Sequence, residues 1–435
     1  MIKTVYAIPT HRLMEKKNVR DYFTEVEYCI KTLNEECILV FFEDTEEYKS
    51  KEVINNVGKE YPKVNYMYIN RNDTRKIFDI IFSQLSDNAK KIFKKIYPNE
   101  NVNYGNIFNR IFIFSILLGA EKIIRRDSDV LIENTPKGKV FPIKNEINLL
   151  GKTNNNKIIY ICGGGYKEKY DLDIDSLIRN NGKDYSLVRE LFSCMSIPEE
   201  HHDDIINEEI LNNNIPFEKD NIDYDSKAYP ECGNVGIFKL HEYFPSSCQD
   251  FILGSDYFFI DVAIHTKLNV VYHNRAVIHR HTKDRKSEYQ KVYNYWKGFL
   301  MLIDSQIFYR NFYEKYLDNE DFNNYEYIHD NIKKITKNME LELNKYFKDD
   351  VYYRQQKMNE CLKVLKKSDD NNIKEISEKL KDEFDFILNY TQKSIEEHIE
   401  LIKNWKEICD VTRLISTTKE IEMFIDKKII NGGWC

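Results

Sequence analysis

The chain has 435 residues, of which 42% are hydrophobic and 31% are charged. This balance is too apolar for a disordered chain and too charged for a membrane protein, so we expect a globular protein of two or three domains. The net charge of −7 makes nucleic acid an unexpected partner. The longest apolar run, 111–120, is about half as long as a membrane-spanning helix, and the N-terminus has no apolar signal-peptide segment. We therefore expect no membrane span and a cytoplasmic location.

Short apolar runs alternate with helical patterns over the first 130 residues. In chain order, the sequence predicts a strand at 3–9, a helix at 19–34, strands at 37–42 and 64–69, a helix at 106–118 and a strand at 122–126. This rhythm is typical of an α/β sheet with parallel strands. Ligands of such sheets bind beyond the carboxyl ends of the strands, which here are Pro9-Thr10-His11-Arg12, Glu43-Asp44 and Asp127-Ser128-Asp129.

The rest of the chain changes character twice. Residues 160–285 have short apolar segments broken by polar clusters, which predicts a β-rich region with long loops. Between 373 and 405 apolar residues recur at steps of three and four, which predicts one long amphipathic helix. We place a domain boundary near 300, with a helical C-terminal region at 301–435.

The most informative segment is the apolar strand that ends in Asp127 and Asp129. Residues two apart in extended backbone point the same way, so these carboxylates can share one hard divalent cation, Mn²⁺ or Mg²⁺, together with substrate phosphates. Three other pairs have the same spacing but lie in polar stretches that favour solvated turns: Asp171/Asp173, Asp173/Asp175 and Asp223/Asp225.

Residues 104–132, YGNIFNRIFIFSILLGAEKIIRRDSDVLI, resemble the helix, strand and DxD element of glycosyltransferases with the GT-A fold. The resemblance implies a GT-A-like, Rossmann-like α/β domain that binds a nucleotide sugar. It gives Asp127 and Asp129 the DxD role at the metal and donor, and it places Asn109 and Arg110 where a helix contacts the nucleotide. Arg125 and Arg126 depart from the apolar residues common before the motif. We assign Arg126 to the donor and expect the other arginine to be an exposed strand residue.

Other segments resemble the same superfamily in the right order. Pro9 and Thr10 resemble the first nucleotide-binding loop, and we place Arg12 with them at the donor. Glu43 or Asp44 stands where an acidic residue meets ribose or base, although either can equally cap the following helix. We assign Glu43 to the donor.

Two further positions complete the predicted site. Asp256 resembles the general base of inverting members, with Asp261 as second choice, although Asp256 can equally cap a helix with Ser255. A late histidine in this superfamily binds the metal, and imidazole suits Mn²⁺. His279 and His281 face the same side of a strand, and His281 matches that position best.

The resemblance thus predicts a hexosyltransferase-like enzyme that moves a sugar from a UDP- or GDP-sugar to an acceptor. Residues 1–132 form its nucleotide-binding half and 133–300 its acceptor half. The acceptor stays open between a peptide, a glycan and a small molecule. Inversion is slightly favoured; the alternatives are a retaining transferase, a sugar-phosphate nucleotidyltransferase and a noncatalytic nucleotide-sugar-binding module. The helical region covers the catalytic domain, binds the acceptor or forms a homodimer.

Overall fold

The computed structural model describes residues 2–44, 49–99, 104–167, 177–178, 184–211, 215–224, 229–248, 250, 252–279, 288–318, 320, 325–348 and 350–430. Its strands are β1 (Thr4–Thr10), β2 (Cys37–Glu43), β3 (Tyr66–Asn70), β4 (Lys122–Arg126), β5 (Val130–Ile132), β6 (Asn134–Thr135), β7 (Gly138–Lys139), β8 (Thr153–Asn154), β9 (Lys157–Gly163), β10 (Tyr166–Lys167), β11 (Ile222–Asp223), β12 (Asn234–Phe238), β13 (Asn269–His273), β14 (Val277–His279) and β15 (Ile429–Ile430).

Its α-helices are α1 (Lys16–Thr32), α2 (Lys51–Gly58), α3 (Arg71–Gln84), α4 (Asp87–Phe93), α5 (Tyr104–Leu117), α6 (Ile143–Leu149), α7 (Ser186–Cys194), α8 (Glu199–Ile205), α9 (Phe258–His265), α10 (Tyr289–Tyr316), α11 (Tyr325–Lys348), α12 (Val351–Lys366), α13 (Asn371–Lys381), α14 (Phe384–Ser416) and α15 (Lys419–Lys428). None of the described helices combines the length and the apolar character that crossing a membrane requires.

The main sheet has the strand order β11-β13-β9-β12-β4-β1-β2-β3-β15. Strands β4, β1, β2 and β3 run parallel, and β12 lies antiparallel between β4 and β9. The predicted α/β class with a parallel sheet is therefore confirmed, as are the strands predicted in the first 130 residues. The 160–285 region contains the predicted strands but also helices α7, α8 and α9, so the β-rich expectation holds only in part.

Both faces of this sheet are covered, because alternate side chains of a buried strand enter different layers. In β1, Val5 and Ala7 belong to a core shared with α3, α5 and α14. Tyr6 and Ile8 belong to the opposite core, shared with α1, α2 and α6. Each fully buried large apolar side chain contributes roughly 1.5–3 kcal/mol, so the two layers hold the strands firmly.

The C-terminal helices are built onto the sheet. Residue 300, the predicted boundary, lies inside the unbroken helix α10. Helix α14 packs on α3, α4 and α5, and β15 pairs with the outer strand β3. The predicted single helix over 373–405 is wrong in its continuity: α13 ends at Lys381 and α14 begins at Phe384. Both helices bury one apolar stripe, so their periodicity alone does not reveal the turn between them.

Candidate metal and donor site

The turn that follows β4 carries the two predicted carboxylates, and side chains of helix α1 hold its backbone in place. The Tyr22 hydroxyl donates to the backbone oxygens of Asp127 at 2.7 Å and Val130 at 3.1 Å. The Asn18 amide adds a hydrogen bond of 2.8 Å to the Val130 oxygen. The side chains of two residues of one helix thus determine where the turn lies, with the single Tyr22 hydroxyl proton shared between two backbone oxygens.

The structure brings Asp127, Asp129 and His279 together, with one possible ligand atom of each within 4.8 Å of the others. His279 arrives through strand pairing, since β14 runs antiparallel to β5 and places His279 opposite Val130. Its Nε2 lies 3.4 Å from Asp129 Oδ1. Two carboxylates and one imidazole are a donor set that fits Mn²⁺. His281, the ligand favoured by the sequence, lies outside the described residues and stays a prediction.

Two arginines contact the acidic groups of this site. Arg12 Nη1 lies 3.0 Å from Asp129 Oδ2. Arg125 reaches Asp127 Oδ1 at 2.9 Å and Asp256 Oδ2 at 3.2 Å, and its guanidinium stacks 4.2 Å from the Phe108 ring centre. The carboxylates of Asp127, Asp129 and Asp256 thus lie in contact with two guanidinium groups.

The neighbouring arginines of β4 point to opposite faces of the sheet, as residues one apart in a strand do. Arg126 is fully buried between the carboxylates of Glu25, at 3.2 Å, and Glu146, at 2.7 Å. The expectation that one of the two arginines is exposed is wrong, because both are buried. Arg126, which we assigned to the donor, has its partners within the core. Arg125 is the arginine that lies beside Asp127.

Asp256 is 6% exposed and lies at the far end of the Arg125 guanidinium. Burial raises the pKa of Asp256, and the charge of Arg125 opposes that rise. Helix α9 begins at Phe258 after Tyr257, with no side-chain cap, so Asp256 does not cap it. The second choice, Asp261, accepts a 3.3 Å hydrogen bond from Tyr313 of α10, and burial raises its pKa to about 7.

The predicted helix residues of α5 are buried and bonded within the protein. Asn109 exchanges two hydrogen bonds with the backbone of Ser246, at 2.9 and 2.8 Å. Arg110 pairs with the carboxylate of Asp44 and so ties α5 to the end of β2. Asn109 therefore fixes the loop before Asp256, and Arg110 fixes the Asp44 carboxylate.

The ends of β1 and β2 lie beside each other at the same edge of the sheet, with Thr10 opposite Glu43. Pro9 is half-buried, whereas Thr10 and Glu43 are buried. The Thr10 hydroxyl donates to the backbone oxygen of Arg12 at 2.9 Å, which shapes the loop that delivers Arg12 to Asp129. Helix α2 begins only at Lys51, so neither Glu43 nor Asp44 caps it.

The sequence analysis left out Tyr166, which contacts this cluster, and Glu231, which lies in the segment beside it. The Tyr166 hydroxyl donates to Asp127 Oδ2 at 2.7 Å, and its ring stacks on His279. Glu231 is a half-buried carboxylate next to Cys232 and accepts a hydrogen bond from the Tyr257 hydroxyl. No local pattern predicts either residue, because each reaches the site through contacts far apart in the chain.

The chain belongs to DUF6271, described as a family of unknown function, whose model matches residues 3–421. No curated protein matches the sequence. Among solved structures, the chain is similar to glucosyl-3-phosphoglycerate synthase from Mycobacterium tuberculosis in complex with Mn²⁺, uridine diphosphate and phosphoglyceric acid. That similarity has 10% identity and a TM-score of 0.37, over 69% of this chain and 78% of that one. A mannosyltransferase from Pyrobaculum calidifontis, in complex with GDP-Man and Mn²⁺, has 6% identity and a TM-score of 0.37, over 96% of this chain and 88% of that one.

Proposed function

We propose that this chain is a divalent-metal-dependent glycosyltransferase of the GT-A type that uses a nucleotide-diphosphate sugar as donor. The cluster of Asp127, Asp129 and His279, just beyond the carboxyl end of β4, carries the proposal. Ligands of open α/β sheets bind at this edge, and the cluster has the ligand chemistry of Mn²⁺ or Mg²⁺.

Asp127, Asp129 and His279 would hold the cation, which when bound neutralises negative charge that develops on the leaving diphosphate. Arg12, whose side chain is 20% exposed, lies at the rim of the cluster and supplies a second positive charge for the phosphates. The edge formed by Pro9, Thr10 and Glu43 would receive the nucleoside of a UDP- or GDP-sugar. The acceptor is a peptide, a glycan or a small molecule.

We assign the base of an inverting transfer to Asp256. The acceptor hydroxyl gives its proton to this carboxylate while its oxygen bonds to the anomeric carbon. The bond from that carbon to the diphosphate breaks, and its electron pair leaves with the diphosphate. The raised pKa of Asp256 strengthens it as a base, and Arg125 fixes its orientation.

The metal-dependent donor site is tested by calorimetric titration of UDP, GDP and their common sugars with and without Mn²⁺. We expect Mn²⁺-dependent binding to the native chain and its loss in Asp129→Asn, because a metal ligand is removed. Asp410→Asn makes the same charge change on an exposed stretch of α14 and should bind like the native chain. Nucleotide binding that is equal with and without Mn²⁺, or Mn²⁺-dependent binding that persists in Asp129→Asn, contradicts the assigned metal site.

The reaction class is tested separately. Hydrolysis of a sugar nucleotide without acceptor supports a glycosyltransferase, pyrophosphate-dependent exchange supports a nucleotidyltransferase, and binding with neither reaction supports a noncatalytic module. Asp256→Asn should keep metal-dependent binding and lose turnover. The anomeric configuration of the product, measured by NMR, decides between inversion and retention.

A further inference from the structure

Tyr166, in the short strand β10, contacts several parts of the metal cluster. Its hydroxyl oxygen accepts a 3.0 Å hydrogen bond from the Gly233 backbone N–H, which can only donate. The one hydroxyl proton is therefore available to Asp127 Oδ2, at 2.7 Å. Arg125 holds the other oxygen, Oδ1, so both oxygens of this carboxylate are fixed. Each carboxylate oxygen still has a lone pair for a cation.

The ring of the same tyrosine fixes the imidazole. The ring centres of Tyr166 and His279 are 4.4 Å apart with an interplanar angle of 28°, a stacked arrangement. Strand β10 pairs in parallel with β14, with Tyr166 opposite Val277, so the two rings are held on neighbouring strands. Rotation of the imidazole about its side-chain bonds would break this stack.

Gly233 provides the space in which the tyrosine and the carboxylate meet. A Cβ atom at this position would lie 2.1 Å from the Tyr166 hydroxyl oxygen and 2.3 Å from Asp127 Oδ2. Real Cβ contacts are longer, so any side chain here would displace one of the two groups. The approach of Tyr166 to Asp127 thus depends on a glycine in the facing turn.

We infer that Tyr166 is a positioning residue of the metal centre, which fixes the Asp127 carboxylate through its hydroxyl and the His279 imidazole through its ring. This inference rests on the proposed function, since it takes these residues as metal ligands. In this assignment the metal ligands are Asp127, Asp129 and His279, and Tyr166 orients two of them. Residues that orient ligands reduce the freedom lost when the metal binds, and their removal typically weakens metal binding by about 10- to 100-fold.

The test is Mn²⁺ titration of the full-length, metal-free chain, followed through the EPR signal of free Mn²⁺. Tyr166→Phe keeps the ring on His279 and removes only the hydroxyl, so we expect Mn²⁺ affinity about 10-fold or more below that of the native chain. Tyr61→Phe is the matched control, because it removes a tyrosine hydroxyl that is hydrogen-bonded to Thr24 at 2.8 Å. This variant should keep the Mn²⁺ affinity of the native chain. Gly233→Ala should weaken Mn²⁺ binding as Tyr166→Phe does.

Thermal unfolding in EDTA, measured on every variant, separates positioning from a general loss of structure. Reduced Mn²⁺ affinity with an unfolding midpoint close to that of the native chain supports the inference. Native-like Mn²⁺ affinity in Tyr166→Phe overturns it. A reduced Mn²⁺ affinity also overturns it if the unfolding midpoint of the same variant in EDTA falls clearly below that of the native chain. If the native chain and Asp129→Asn bind Mn²⁺ equally, the proposed function fails instead.

Discussion

His398 of α14 connects the C-terminal helices to the loop that precedes Asp256. Its Nε2 lies 3.1 Å from the Pro245 backbone oxygen, which can only accept, so Nε2 carries the proton. Its Nδ1 then accepts the 2.8 Å hydrogen bond of the Tyr309 hydroxyl. Burial lowers the pKa of His398 to about 4 from its ordinary 6.5. A neutral imidazole is therefore part of the folded structure.

This lowered pKa predicts a specific loss of stability in acid. Between pH 6.5 and pH 4 the unfolded chain binds a proton at this position that the folded chain does not bind, so the free energy of unfolding falls as the pH falls. Above pH 6.5 His398 is neutral in both the folded and the unfolded chain, so it causes no loss of unfolding free energy there. The difference of about 2.5 pH units, at 1.36 kcal/mol each, corresponds to about 3 kcal/mol lost by pH 4.

His398→Gln offers a hydrogen-bond donor and an acceptor but does not titrate. We expect this variant to lose about 3 kcal/mol less unfolding free energy than the native chain between pH 7 and pH 4. The measurement is urea unfolding of the metal-free chain at a series of pH values. His201→Gln, at an exposed position of α8, should keep the native acid response. Equal acid losses in the native chain and His398→Gln would refute the reasoning.

Two other predictions concern ion pairs of different exposure. Asp304→Asn removes the carboxylate that holds the buried Arg354 guanidinium through two hydrogen bonds, so the free energy of unfolding should fall by about 3–5 kcal/mol. Asp410→Asn removes a carboxylate from an exposed ion pair and should lower it by less than about 1 kcal/mol. Similar losses in both, measured by urea unfolding, would be inconsistent with this account. Arg12→Gln removes the cation that competes at Asp129, so Mn²⁺ affinity without nucleotide should rise roughly tenfold. Unchanged affinity in the Mn²⁺ titration would show that Arg12 does not compete with the metal.

Local sequence patterns were sufficient for the helix and the strand that precede the two carboxylates. The apolar strand before Asp127 and Asp129 is buried on both faces, and it ends at the edge of the sheet where the pattern predicts it. The same periodicity predicts opposite directions for Arg125 and Arg126. It does not predict what each direction meets, because Glu146 and Asp256 come from distant elements.

The sequence by itself determined the α/β class, the position of the two carboxylates at a strand end and the helical character of the C-terminal region, since these depend on spacing within one element. Only the tertiary structure decided which side chains join the carboxylates. His279 reaches Asp129 through the pairing of β14 with β5, and Tyr166 follows on β10. The register of these strands depends on burial and on pairing between segments more than a hundred residues apart. The spacing of residues within one element therefore does not predict it.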